Sequence, residues 1–180
     1  MSKLHEYLKS QESLITSAVE GMTLLDFIDR NANEYPDHPA LNSPANAEYS
    51  AWDSISWSEY RETSKNLASG LMTLGLGPGD TAFIMSNNTK EHNIADLGIV
   101  YSGATPSTLY KQLKYTQIEY VANLMEAKVA IVGDLELFEE VNKAKKDCIN
   151  LNAIVLIDGY EEKKDLDYVY SYHELIEKGK

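Results

Sequence analysis

A chain of 180 residues has the size of one ordinary domain, able to bury about 70% of its unfolded surface. Sixteen Lys and Arg against 28 Asp and Glu leave a net charge of −12, which excludes a surface built on phosphate-backbone contacts and makes nucleic acid an unexpected partner. The single Cys148 excludes an internal disulfide or a multi-cysteine metal site; without an apolar leader in residues 1–10 or a run near the ~18 apolar residues of a membrane span, the expected location is cytoplasmic.

Residues 1–21 carry Leu4, Leu8, Leu14, Ile15 and Val19, a short amphipathic element. Thr23 is an expected N-cap with Asp26 three residues on, and Leu24, Leu25, Ile28, Ala32 and Tyr35 keep helical spacing until Pro36. Segment 37–55 suggests two short strands around Ala40-Leu41 and Ala51-Trp52. Ser56 and Glu59 have capping-box spacing, and Trp57, Tyr60, Ser64, Leu67, Leu71 and Leu74 follow in steps of three and four.

Gly75, Gly77 and Gly79 invite a nucleotide-loop reading. Dinucleotide fingerprints, however, place their glycines after a strand and before a helix, whereas these follow a helix and precede a strand. Gly75 is therefore expected as a left-handed C-cap, with Pro78 barring continuation of the helix.

Residues 81–86 (TAFIMS) form an apolar run suited to a strand covered on both faces. A largely buried helix is expected from Asn88 or Thr89 to about Ser102, ended by Gly103. Residues 105–110 make a strand with Pro106 near its start. Thr116 and Glu119 have capping-box spacing, Tyr115 and Tyr120 the staple positions, and Ile118, Val121, Ala122 and Met125 the buried stripe. Residues 128–132 form a strand, Asp134 caps a helix to about Lys146, and 153–157 form another strand. Residues 161–167 read as a solvated loop, after which Ser171 and Glu174 open a last short helix.

Apolar strands alternating with helices predict an α/β fold: a mostly parallel, doubly wound sheet with helices on both faces. Residues 1–50 are expected as a lead-in helix and short strands, and 51–180 as the parallel-sheet subdomain. Ligands of such sheets lie beyond the carboxyl ends of the strands, here near Asn87, Lys111, Gly133, Asp134 and Asp158.

No catalytic, cofactor-binding or metal-ligating residue is assigned from these patterns. Cys148 falls at helical spacing after Val141 and Ala144, as a core thiol does. His5, His38, His92 and His173 are dispersed, without paired metal-ligand spacing or an evident carboxylate partner. Asn87, Asn88, Asp134 and Asp158 are expected as caps and turn residues. The stretch 102–106 (SGATP) lacks a following lysine and leads into a strand, so it is not a P-loop.

The collinear order of several segments goes further: TLLDFIDRNANEYPDHPAL, SWSEYRETSKNLASGLMTLGLGPGD, Asn87 and Glu91, GATPSTLY, TQIEYVANLMEAKVAIV and YSYHELIEKG. Together these resemble the N-terminal region of the adenylate-forming (AMP-binding) enzymes, the superfamily of acyl-CoA synthetases, luciferases and peptide-synthetase adenylation domains. Leu109-Tyr110 followed by Thr116-Gln117-Ile118-Glu119 is most similar to the long-chain fatty acyl-CoA synthetases. Thr108, His92 and Ala82 depart from the proline, tryptophan and valine common at those positions in the group.

The resemblance implies a parent enzyme that joins a fatty acid to CoA using ATP and Mg²⁺, with release of AMP and pyrophosphate. It also implies a Ser/Thr/Gly-rich phosphate loop ending in Pro-Lys, a Tyr-Gly-x-Thr-Glu segment, a ribose-binding Asp and a C-terminal catalytic lysine, none of which is found in residues 1–180. The chain is accordingly expected to be an N-terminal piece, inactive alone and holding no cofactor itself. The parent would be cytoplasmic or peripheral to a membrane, and the piece would self-associate through exposed apolar surface. The alternatives are a fatty acyl-AMP ligase or other carboxylate adenylase, and a non-catalytic α/β binding or assembly module.

Overall fold

The computed structural model describes residues 3–44, 48 and 50–180. Helix α1 (Lys3–Val19) buries no residue, so its apolar Leu4, Leu8, Leu14 and Ile15 remain exposed. Helix α2 (Leu24–Glu34) starts at Thr23, whose backbone N–H and hydroxyl both donate to Asp26 Oδ2 at 2.7 Å. Its Ile28 and Ala32 are buried, whereas Leu24 and Tyr35, expected in the same stripe, are exposed. Strands β1 (Pro39–Pro44) and β2 (Trp52–Ser56) pair antiparallel as a separate two-stranded sheet.

Helix α3 (Trp57–Thr73) opens with the expected capping box: Ser56 Oγ accepts from Glu59 N–H at 3.2 Å, and Glu59 Oε2 accepts from Ser56 N–H at 2.7 Å. Its end is a Schellman motif in which Gly75 N–H donates to Met72 O and Leu76 N–H to Leu71 O, with Gly75 at φ +83°. A tight turn follows, in which Asp80 N–H donates to Gly77 O and Asp80 Oδ2 accepts from Gly77 N–H.

Strand β3 (Thr81–Met85), helix α4 (Lys90–Tyr101), β4 (Thr105–Thr108), α5 (Tyr115–Leu124), β5 (Val129–Val132), α6 (Leu135–Lys145) and β6 (Ala153–Leu156) then alternate. A 3₁₀ turn at Tyr160–Glu162 leads to β7 (Val169–Ser171) and α7 (Tyr172–Lys178). The five central strands run parallel in the order β4-β3-β5-β6-β7. Alternation along β3 builds two cores, as pleating requires. Ala82 and Ile84 face the core shared with α3, α4 and α7, including Leu67, Leu71, Leu97 and Tyr172. Phe83 and Met85 face the core shared with α5 and α6, including Ile118, Phe138 and Val141.

Three local expectations are corrected. Helix α5 begins at Tyr115 with Lys114 as its N-cap, so Thr116 lies inside the first turn and the Thr116–Glu119 box is not formed. Gln117 Oε1 instead accepts from Lys114 N–H at 3.1 Å and Glu140 Oε2 on α6 accepts from Tyr115 N–H at 3.0 Å, while Tyr115 and Tyr120 stay exposed rather than stapled. The second is β7, absent from the reading of 161–171: its three residues are too few for periodicity and hold only through pairing with β6. The third is Asn87 and Asn88, expected as caps; the N-cap of α4 is Thr89.

Candidate functional site

The sheet order fixes where a ligand can sit. From β3 the chain crosses to β4 on one side and then returns past β3 to β5 on the other, so the loops leaving β3 and β5 diverge at a topological switch point. At that point Gly133, just after β5, is pressed against the loop after β3: a Cβ there would stand 2.9 Å from Ser86 Cβ. The ends of β3 and β5 are thus closely packed where their loops begin.

Two adjoining clefts, of about 420 and 440 Å³, lie at this end and share Asn87, Lys111 and Gln112. The partition is a hydrogen bond from Lys111 Nζ to Asn87 Oδ1 of 2.7 Å, which ties the loop after β4 to the loop after β3. Asn87 therefore holds a lysine instead of capping a helix. The first cleft contains His92, whose Nδ1 lies 2.8 Å from Ser86 Oγ and whose Nε2 lies 3.3 Å from Thr108 Oγ1. One neutral ring nitrogen donates and the other accepts, and a hydroxyl can complement either, so both contacts are satisfiable. The second cleft contains Lys114, Asp134 and Glu136. Asp134 Oδ1 accepts from Leu137 N–H at 3.0 Å, the cap expected from the sequence.

Of the five positions expected at the strand ends, Asn87 and Lys111 are joined directly, Asp134 lines the second cleft with them, and Gly133 supplies the close packing. Asp158 has an exposed side chain, and its N–H donates to Gly133 O. Ser86, Thr108 and His92 were not singled out as a group by the sequence reading. The available signals were the departures at Thr108 and His92, and the i,i+4 spacing of His92 and Asp96. Asp96 lies one turn along α4 from His92 and makes no ion pair with it; burial raises the Asp96 carboxyl pKa, and the His92 charge opposes that rise.

The remaining candidates are structural. Cys148 follows the end of α6 and packs half-buried against the second core; burial, then Glu119 and Asp147, push its thiol pKa up, away from thiolate reactivity. His38 packs against Tyr35, and His173 edge-on against Tyr172. The glycine turn lies at the opposite, amino-terminal end of the strands, where Lys128 Nζ pairs with Asp80 Oδ1 at 2.6 Å. That ion pair, then the Gly77 N–H, hold the Asp80 carboxyl below its usual range.

The chain thus combines a doubly wound parallel sheet with two adjoining clefts at its switch point. The chain belongs to the AMP-binding enzyme family, which it matches over residues 28–173. It is similar to the uncharacterized protein Rv1549 of Mycobacterium tuberculosis, with 27% identity over 150 residues, 83% of this chain and 81% of that one. It is also similar to long-chain-fatty-acid–CoA ligases of Rattus norvegicus, with 29% identity over 71% of this chain and 18% of the ligase, and of Xenopus laevis, with 25% over 96% and 23%. Among solved structures, a long-chain-fatty-acid-CoA ligase from Archaeoglobus fulgidus shares the fold with TM-score 0.73 at 20% identity, over 88% of this chain and 30% of that one. The chain thus spans most of the mycobacterial relative and under a third of each of these ligases.

Proposed function

We propose that this chain is the N-terminal part of an ATP-dependent fatty acyl-CoA ligase, which turns a fatty acid, ATP and CoA into acyl-CoA, AMP and pyrophosphate. The observation that carries the reading is collinear similarity to long-chain ligases over as much as 96% of the chain, within a family match spanning residues 28–173. The chain's own part is scaffold: a rigid sheet that presents the loops after β3, β4 and β5 to the rest of the enzyme. The parent acts in the cytoplasm or at a membrane surface.

ATP with Mg²⁺ needs converging hard ligands and preorganised phosphate donors. Among the described residues no three His, Cys, Asp or Glu side chains converge, and the glycine turn sits at the wrong end of the sheet with its Asp80 committed to Lys128. The residues present do not fit that group, so no phosphoryl-transfer step is assigned to this chain. The test is fatty-acid-dependent exchange of pyrophosphate into ATP by the purified 180 residues. No exchange above the protein-free rate is expected; exchange would overturn the scaffold role.

One observation favours a second reading, a stand-alone binding or assembly module: the mycobacterial relative is matched over 81% of its own length. An open reading frame beyond codon 180 encoding a phosphate loop supports the ligase, and a natural stop supports the module. Self-association through apolar surface such as Tyr120, Leu124 and Ile149, exposed around the Asn123-bonded end of α5, belongs to the ligase reading, in which the rest of the enzyme would cover such surface, and is checked by light scattering.

A further inference from the structure

We propose that α1 is a dimerisation helix, which pairs antiparallel with the α1 of a second copy of this chain about a two-fold axis at Gln11. This does not rest on the ligase reading, and α1 lies ahead of residues 28–173 that match the family.

At about 100° per residue, Leu14, Tyr7, Leu4, Ile15, Leu8 and Val19 fall in that angular order within an arc of about 140°, with only Ala18 and Gln11 among them. A stripe of that width is what a helix lays on a core. Yet α1 buries no residue and joins neither core, and Leu14, Tyr7, Leu4, Ile15 and Leu8 are each 55–65% exposed.

Charge selects what covers this face. Lys3 and Lys9 balance Glu6 and Glu12, so α1 is neutral in a chain of net charge −12, and two copies can meet there without adding to their mutual repulsion. A lipid surface is the poorer match: interfacial helices carry a Lys/Arg-rich polar face, whereas α1 has as many acids as bases and no Trp or Phe, and the charge of the whole chain opposes an anionic membrane.

The order of the charges selects the orientation. Lys3, Glu6 and Lys9 leave the amino-terminal half positive, while Glu12, and Glu20 just beyond the helix, make the carboxyl-terminal half negative. Antiparallel pairing sets each positive half against a negative one and opposes the two helix dipoles; parallel pairing would align like with like. Gln11 sets the register. It is the middle residue of Lys3–Val19 and the single polar residue in the apolar arc. An amide both donates and accepts, so two Gln11 side chains related by a two-fold axis can satisfy each other. A lone polar residue in such a seam fixes register. With the axis there, Leu4 of one copy faces Ala18 of the other, Tyr7 faces Ile15 and Leu8 faces Leu14. A pair of 17-residue helices is only about 25 Å long, so the dimer is a weak one governed by protomer concentration.

The test is sedimentation velocity on the full 180-residue chain from about 5 to about 500 µM, where the mass should rise with concentration from monomer toward dimer. Ile15→Glu should weaken dimerisation at least about tenfold, while Ser13→Glu, of the same charge on the opposite face of the helix, should leave it within about twofold. Leu124→Glu, which disrupts the apolar surface at the end of α5, should leave the α1 dimer in place. The three side chains are exposed, so each variant should keep the Tm and near-ultraviolet circular dichroism of the parent chain. Orientation is read by disulfide trapping in a Cys148→Ser background. Antiparallel pairing crosslinks Gln11→Cys and keeps Leu4→Cys about 21 Å from its counterpart, whereas parallel pairing crosslinks both. A chain that stays monomeric, dimerisation that survives Ile15→Glu, equal losses in Ile15→Glu and Ser13→Glu, or crosslinking through Leu4→Cys would overturn the proposal. So would a monomeric chain captured by phosphatidylcholine–phosphatidylglycerol vesicles and released by Ile15→Glu, because lipid would then be what covers the face.

Discussion

Gly133 packs against Ser86 so closely that a Cβ at Gly133 would lie 2.9 Å from Ser86 Cβ and 3.1 Å from Ser86 Cα. These distances are below ordinary van der Waals contact, and the opposing atoms belong to a backbone and a Cβ that cannot rotate aside. Gly133→Ala is expected to cost about 1–3 kcal/mol by overpacking and to spread the β3 and β5 loops. Gly77→Ala, where nothing lies within 4 Å and φ is not positive, is the matched control and should change stability by under about 1 kcal/mol. Urea denaturation of the pair checks this; equal midpoints would refute the tight seam.

Ser64 sits on the inner face of α3 at 0% exposure, and its Oγ has no hydrogen-bond partner. A buried hydroxyl left unpaired loses its hydration without recompense, and alanine is the better helix former. Ser64→Ala should therefore raise stability by about 1 kcal/mol, read as a higher denaturation midpoint with unchanged m-value. A loss on substitution would mean that the hydroxyl is in fact paired.

Glu126 holds φ +54°, the left-handed position after α5 that glycine occupies after α3 and α4. Ala127 N–H donates to Ala122 O in the same Schellman pattern as Leu76 and Ala104. An L side chain there carries strain of about 1–2 kcal/mol, part of which glycine returns as unfolded-chain entropy. Glu126→Gly should thus stabilise the fold by about 0.5–1 kcal/mol. Thermal melts of the variant decide it, and a lower Tm would contradict the strain.

Acid should weaken the amino-terminal end of the sheet through Asp80. Lys128 first, then Gly77 N–H, lower its carboxyl pKa in the folded state, so the unfolded chain binds the proton more readily. The stabilisation is present above the unfolded value of about 3.9 and is lost as pH falls from there through the lower folded value. Asp26, Glu59 and Glu140 are shifted the same way, so the expected signature is a difference: Asp80→Asn should flatten the decline below about pH 4 relative to the parent chain. Parallel acid titrations followed by circular dichroism would disprove the linkage if the two curves keep a constant offset.

What the sequence determined by itself is local. The Ser56 and Asp134 caps, the Gly75 and Gly103 helix ends and the apolar runs of β3, β5 and β6 are each written within a few residues, because caps satisfy neighbouring amides and periodicity reports a covered face. That alternation, with the collinear family segments, was enough for the α/β class and the AMP-binding family. Even at this scale, an acceptor on another element shifted one boundary: Glu140 meets Tyr115 N–H at the start of α5. Tertiary structure alone decided β7, the Gly133–Ser86 contact and the double cleft. Asn87 and Lys111 are 24 residues apart and Ser86 and Gly133 farther still, and only the parallel register of β3 with β4 and β5 brings their loops to one end. Register is set by how whole faces pack, not by any residue's spacing, so strand-end positions were legible as places while their contacts were not.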